Sequence, residues 1–175
     1  MLQAAYGKRI HDVIAPGLKV LFVGINPGLY SGAVGHHFAR PGNRFWPALH
    51  KAGFTKQQLS PYEERELLLG GYGITNIVSY ATAAADELDA KDLASGGKRL
   101  TLKIKRYKPR VVAVLGLTAF RAAFGRPDAR FGPQEERIGS SIVWVLPNPS
   151  GLNASYQLKE LAKMFRKVRI AAGRD

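Results

Sequence analysis

Cysteine is absent from the 175 residues of this chain. Its absence excludes a structural disulfide, a thiolate zinc site and an iron–sulfur cluster, and it fits a reducing compartment. Long apolar runs are missing too. Val111 to Leu115 is far too short to span a bilayer, and Leu18 to Phe22 is interrupted by Lys19. No basic stretch followed by an apolar one opens the chain, so no secretion signal is expected, and a cytoplasmic or nucleoid-associated location is. Internal repeats, low-complexity tracts and linkers are lacking. One domain is therefore expected over residues 1–175, with 1–17 and 170–175 at its periphery, and a monomer is the default.

Acidic residues are also scarce. Thirteen Asp and Glu face 26 Lys and Arg, a net charge of +13 with a pI near 10.2. Such an excess can serve solubility. In one small domain it points more strongly to a polyanionic partner, because cations release counterions when they meet phosphates. Charge does not separate DNA from RNA.

What is present is an alternation of strands and helices. Lys19–Gly24, Tyr72–Val78, Arg110–Leu115 and Ile142–Leu146 are short, β-branched and apolar, as buried strands are. Between them, helices are expected over Asn43–Ala52, from Ser60-Pro61-Tyr62-Glu63 to a stop at Gly70-Gly71, over Gly97–Tyr107 and over Thr118–Phe124. A last helix, capped by Ser155, carries Leu158, Leu161, Ala162, Phe165 and Val168 as an apolar stripe. The pattern implies an α/β fold with a central, mainly parallel sheet of about four strands and helices on both faces. Ligands of such folds bind where the chain leaves the carboxyl ends of the strands.

Two of those exits share a composition. Gly24-Ile25-Asn26-Pro27-Gly28 follows the first strand, and Pro147-Asn148-Pro149-Ser150-Gly151-Leu152 follows the fourth. Each is a proline-stiffened turn presenting an asparagine. Either alone is an ordinary tight turn; two at one edge of one sheet suggest a site. A dinucleotide loop is excluded at Gly24–Gly28 by Pro27 and by the glycine spacing.

These motifs, with His37-Phe38-Ala39-Arg40-Pro41-Gly42-Asn43-Arg44-Phe45-Trp46 between them, resemble the mismatch-specific uracil-DNA glycosylases, relatives of the thymine-DNA glycosylases. The resemblance extends through Gly73-Ile74-Thr75 and Ile142–Leu146, and spans roughly Val20 to Phe165. It implies a three-layer α/β/α sandwich and a monofunctional glycosylase without metal or cofactor. Its partner would be double-stranded DNA carrying U·G mismatches or related lesions, ethenocytosine among them. By the same resemblance, Asn26 positions the attacking water and Phe38 stacks on the flipped base. Backbone around Gly24, Ile25 and Phe38 reads the uracil edge, and Ser31 sits beside carbon 5 of the pyrimidine. Asn148, Pro149, Ser150, Gly151 and Leu152 enter the minor groove, with Leu152 filling the vacated stack and backbone near Gly151 meeting the orphaned guanine.

The residue chemistry agrees. A base must leave the stack before its glycosidic bond can be reached. An apolar wedge fills the gap, and an aromatic face returns ~1–3 kcal/mol by stacking. Asp86 is a second candidate for orienting water, although a helix-capping or solvent-facing acid is the simpler reading. His36 and His37 stand where the family is apolar, as loop histidines or as contacts to phosphate or the base rim. Ala154 stands where some relatives carry arginine. In Lys98, Arg99, Lys103, Lys105, Arg106 and Lys108, a solvated helix face is expected, and Ser95-Gly96-Gly97 is a candidate phosphate-holding helix start. Trp46 and Trp144 read as core. The competing functions are a catalytically silent mismatch- or lesion-binding module, a uracil glycosylase of another branch, and an RNA-binding protein.

Overall fold

Four five-residue strands run in the same direction: β1 (Val20–Gly24), β2 (Tyr72–Asn76), β3 (Val111–Leu115) and β5 (Ile142–Leu146). The computed structural model describes residues 2–173; the first residue and the last two of the expected periphery lie outside it. The sheet order is β2-β1-β3-β5-β4. The fifth strand, β4 (Gly132–Pro133), pairs antiparallel with β5 and was not expected. Glycine and proline are poor strand formers, so this two-residue edge is invisible to propensity.

Strand alternation divides the core into two layers. Val20 and Phe22 of β1 face one side, with Phe45, Trp46 and Leu49 of α2 (Phe45–Lys51) and Leu161, Phe165 and Val168 of α5 (Leu158–Ala172). Leu21 and Val23 face the other, with Leu93, Leu100 and Ile104 of α3 (Ala90–Tyr107) and Phe120 of α4 (Leu117–Phe124). Helices thus cover both faces of a sheet whose central strands are wholly buried. A short α1 (Leu29–Val34) follows β1. No helix among the described residues is long and apolar enough to cross a membrane.

The segment before β1 is tied to the sheet. Val13 exchanges both backbone hydrogen bonds with Ile74 and is buried. Residues Pro61–Gly70 form a 3-10 segment rather than the expected α-helix. The expected capping box is present, with the Ser60 N–H donating to Glu63 Oε1 at 2.9 Å.

The starts of α3 and α5 differ from expectation in their caps. α3 begins at Ala90, not Gly97, because Asp89 and Asp92 form a reciprocal capping box. Gly96 and Gly97 lie inside the helix and are buried, which removes Ser95-Gly96-Gly97 as a phosphate-holding start. These glycines serve close packing: a Cβ would lie 2.4 Å from the Ile77 carbonyl at 96 and 2.2 Å from the Ala123 carbonyl at 97. α5 begins at Leu158 with Gln157 as its cap residue, not at Ser155. Ser155 belongs to the preceding loop, where its N–H donates to Asn153 Oδ1.

Gly97→Ala should therefore push α3 off α4, since the clash is with backbone and no side chain can yield. Overpacking of this kind costs ~1–3 kcal/mol; urea unfolding should show that loss with an unchanged m-value.

Candidate active site

β1 is the switch point of the sheet. The chain leaves it to form β2 on one side and returns to form β3 on the other, which opens a crevice at the carboxyl ends of the strands. A cavity of about 400 Å³ lies there. Gly24–Gly28 from the exit of β1, Asn76 from β2, Leu115 from β3 and Asn148, Ser150 and Leu152 from beyond β5 all line it. Ser31, His37, Phe38 and Asp86 line it as well. A larger cavity of about 590 Å³ surrounds the 125–138 loop and lacks any strand exit of the parallel sheet.

Asn26 is held in one orientation. Its Nδ2 donates to the Tyr80 carbonyl at 3.0 Å and to Thr82 Oγ1 at 2.8 Å. A carbonyl can only accept, so the amide nitrogen must face Tyr80. Thr82 is 3% exposed and spends its own proton on the Ala84 carbonyl, 2.8 Å away. Both amide hydrogens of Asn26 are thereby used, and Oδ1 has no partner among the described residues. It is an acceptor fixed at the cavity wall.

Phe38 forms a second wall. Its ring stacks on Phe45 with centroids 4.1 Å apart at 26°, and it also lines the cavity. Its backbone takes φ 52°, one of two positive values at non-glycine positions among the described residues. Such strain persists only where surrounding bonds over-determine it. Here they do: Ala39 N–H donates to Ser31 Oγ at 3.0 Å, His37 N–H donates to Glu64 Oε1 at 2.9 Å, and Trp46 Nε1 donates to the His37 carbonyl at 3.1 Å. The hydroxyl of the buried Ser31 thus shapes the Phe38 turn. The N–H groups of Ile25 and Phe38 have no hydrogen-bond partner among the described residues.

Gly24 forms the floor. A Cβ there would come within 2.5 Å of Asn76 Oδ1 and 3.2 Å of the Phe38 ring, so any side chain would fill the cavity. Asn76 was not singled out by sequence, because its partner, His37, is supplied from a distant segment. His37 itself is 2% exposed, which removes it as a contact to phosphate. Burial lowers its pKa below the ordinary histidine value, against smaller raising effects of its bond to His11 and of Glu64 and Asp12. His36 turns the other way, with Nδ1 2.8 Å from Glu64 Oε2. Among the described residues no group of three or more His, Asp or Glu side chains is placed to hold a metal ion.

Asp86 lies exposed at the cavity mouth, in a 3-10 turn over Ala85–Glu87. It has no hydrogen-bond partner among the described residues. The cap of α3 is Asp89 instead.

The 148–156 loop is stapled by Arg44, a residue whose role sequence reasoning missed. Its guanidinium donates to the carbonyls of Ser150 at 2.6 Å, Asn153 at 2.9 Å and Tyr156. Its own N–H donates to the Pro149 carbonyl at 2.9 Å. Within the loop, Asn148 Oδ1 accepts from Ser150 N–H and the Asn148 carbonyl from Asn153 Nδ2. Gly151 sits so close to Gly42 that a Cβ would lie 2.7 Å from its carbonyl. The loop therefore presents Leu152, 76% exposed, as a rigid apolar tip beside the cavity. Arg40 lines both this cavity and a smaller one under the tip, and has no carboxylate partner among the described residues.

Known proteins share this arrangement at the level of family and fold. The family model of the uracil DNA glycosylase superfamily matches residues 11–169. A solution structure from Methanosarcina acetivorans, provisionally named a uracil DNA glycosylase, is 17% identical with a TM-score of 0.57. The match covers 93% of this chain and 98% of that one; at this identity it establishes the shared α/β fold. With the family model spanning nearly the whole chain, this protein belongs to the uracil DNA glycosylase superfamily.

Proposed function

We propose that the protein is a monofunctional, mismatch-type uracil-DNA glycosylase. It flips uracil, mainly opposite guanine, from double-stranded DNA and hydrolyses the N-glycosidic bond. One observation carries this reading: an apolar tip, Leu152, stands beside a cavity whose wall carries a fixed, unpartnered amide oxygen, that of Asn26. A wedge next to a water-positioning acceptor is what extrusion followed by hydrolysis requires. The cavity volume suits a pyrimidine with its water.

In this reading Leu152 fills the stack left by the base, and backbone near Gly151 meets the orphaned guanine. Asn148, Pro149 and Ser150 hold the tip in the minor groove. The flipped uracil lies over Gly24 against Phe38, with the N–H groups of Ile25 and Phe38 available to its oxygens, and Ser31 beside carbon 5. The C1′–N1 bond breaks with its electron pair leaving on the base, and sugar charge develops as in other glycosyl transfers. Hydrogen-bond donors at the base oxygens stabilise the departing anion. Water held by Asn26 Oδ1 adds to C1′ and loses a proton to solvent or to Asp86. An amide is no strong base, so turnover depends on leaving-group quality. No metal or cofactor enters, and activity should survive a chelator. A silent lesion-binding module would keep the wedge without needing the oriented Asn26.

The decisive assay uses end-labelled duplexes carrying U·G, U·A, T·G or C·G, followed by alkali cleavage at abasic sites. Scission should be greatest at U·G and fall about 100-fold in Asn26→Ala, the scale of loss expected when a reacting group is misplaced. Binding of U·G without base release from any duplex would leave the silent module. Near-normal activity of Asn26→Ala, with loss in Asp86→Asn, would move the chemistry to the carboxylate.

Thr82→Val removes the acceptor that holds Asn26 while keeping the shape. It should lower kcat about 10-fold or more with little change in KM. Arg44→Ala frees three loop carbonyls, and a hydrogen bond to a charged group is worth ~1.5–3 kcal/mol. Activity on U·G duplex should fall more than activity on single-stranded uracil, which needs no wedge; equal losses would show that the staple acts elsewhere.

A further inference from the structure

Helix α3 carries the densest basic run in the chain, and the structure separates its residues into two kinds. Lys103 is half-buried, with Nζ 2.5 Å from Asp12 Oδ2 and 3.0 Å from Thr75 Oγ1. Lys91, Lys98, Arg99, Lys105 and Arg106 are exposed and have no carboxylate partner among the described residues. At helical spacing these cations fall within about 120° of arc, opposite Leu93, Leu100 and Ile104, which face the sheet. Leu102, 70% exposed, stands at the middle of their face. The one acid of the helix, Asp92, is engaged in the capping box with Asp89.

Ordinary helix chemistry covers part of this. Lys105 and Arg106 lie in the last turn, where cations answer the helix dipole. Lys98 and Arg99 lie mid-helix, beyond the reach of that effect, and a helix face kept for solvent mixes its signs. Here like charges repeat at 91, 98 and 105, and at 99 and 106. A row of unopposed cations is held against its own repulsion, which a polyanion relieves.

The placement of the helix says which polyanion. Residues 82–86 line the cavity, Asp89 caps α3, and the helix then runs back along the sheet toward the start of β3. The basic face thus begins beside the crevice. It extends roughly 22 Å from Lys91 to Arg106, a length over which a duplex presents about a dozen phosphates. DNA engaged by Leu152 lies across the carboxyl ends of the strands, whereas Lys105 and Arg106 lie toward the opposite ends. One straight segment does not meet both.

We infer that the outer face of α3 is a second duplex-DNA surface, which holds an undamaged segment while the crevice is engaged on another. This goes beyond the glycosylase reading and needs only the DNA substrate that the superfamily shares. An acidic protein is the poorer fit. Protein interfaces are organised around clustered apolar and aromatic anchors, and Leu102 stands alone among cations. Two surfaces permit direct handover from segment to segment, without release into solution.

The test follows release of the protein from a fluorescent undamaged duplex in stopped flow, chased with rising concentrations of unlabelled duplex. Release from wild type should speed up with competitor, because a second segment docks before the first leaves; with one surface it would be independent of competitor. K98Q/R99Q/K105Q/R106Q should remove the dependence while excising uracil from a short U·G duplex at an unchanged kcat. K159Q/K163Q/R166Q/K167Q, on the exposed side of α5 across the sheet, loses the same charge and should keep the dependence. Docking through four phosphate contacts should weaken about 100-fold between about 50 and 200 mM salt. K98Q/R99Q, which should lose part of the dependence, replaces the fourfold variant if that one does not fold. Competitor-independent release by wild type, equal losses in the α3 and α5 variants, or equal acceleration by polyglutamate overturns the assignment. Wild type that shows the handover yet releases no uracil overturns the glycosylase reading and leaves this one standing.

Discussion

Parallel pairing of β1 with a strand on each side is the constraint on which the rest depends. Val20 to Gly24 is hydrogen-bonded to β2 along one edge, and Val20 to Val23 to β3 along the other. The chain must therefore leave β1 between two neighbours that end at the same level. The Gly24–Gly28 turn has no freedom to lie elsewhere. Ile77 and Val78, just past β2, donate to the Gly24 and Ile25 carbonyls, which extends the ladder beyond the sheet. That extension brings the Tyr80 carbonyl and Thr82 to Asn26. The amide oxygen is thus fixed by sheet registry, and rigid elements hold a reacting geometry better than a free loop would.

Around this exit, polar groups are arranged by what they cannot do. Carbonyl oxygens cannot donate, so those of Tyr80 and His11 set the orientation of an amide and the tautomer of an imidazole. Glu64, 5% exposed, accepts from both His36 and the His37 backbone. Such a buried carboxylate is tolerable only when its oxygens are engaged. The left-handed turn at Phe38 is the residue of these demands: each neighbour is pinned, and the strain falls on the one position between them.

The sheet was legible because its strands are β-branched, apolar and bounded by glycine, a pattern that needs no tertiary information. The two proline-stiffened exits were legible for the same reason. The first turns of α3 were not. Gly96 and Gly97 look like a helix start, and only the approach of the Ile77 and Ala123 carbonyls explains them as interior residues. β4 was hidden because Gly132 and Pro133 oppose strand propensity and pair through their register with β5. Arg44, Asn76 and Thr82 were opaque because each is engaged by partners brought by the fold: Arg44 reaches carbonyls more than a hundred residues away. Adjacent histidines at 36 and 37 suggest a shared task, yet they diverge, one to a carboxylate and one to a carbonyl.

The contact between residues 42–44 and the 148–156 loop has a mechanical consequence. Arg44 is bonded to that loop by four hydrogen bonds, and the next residue, Phe45, carries the ring on which Phe38 is stacked. The Leu152 tip and the Phe38 wall are therefore two points on one jaw. A displacement of the tip is transmitted to the wall, and their spacing behaves as a caliper set by the fold. Whatever enters between them is measured against a fixed gauge before any chemistry begins.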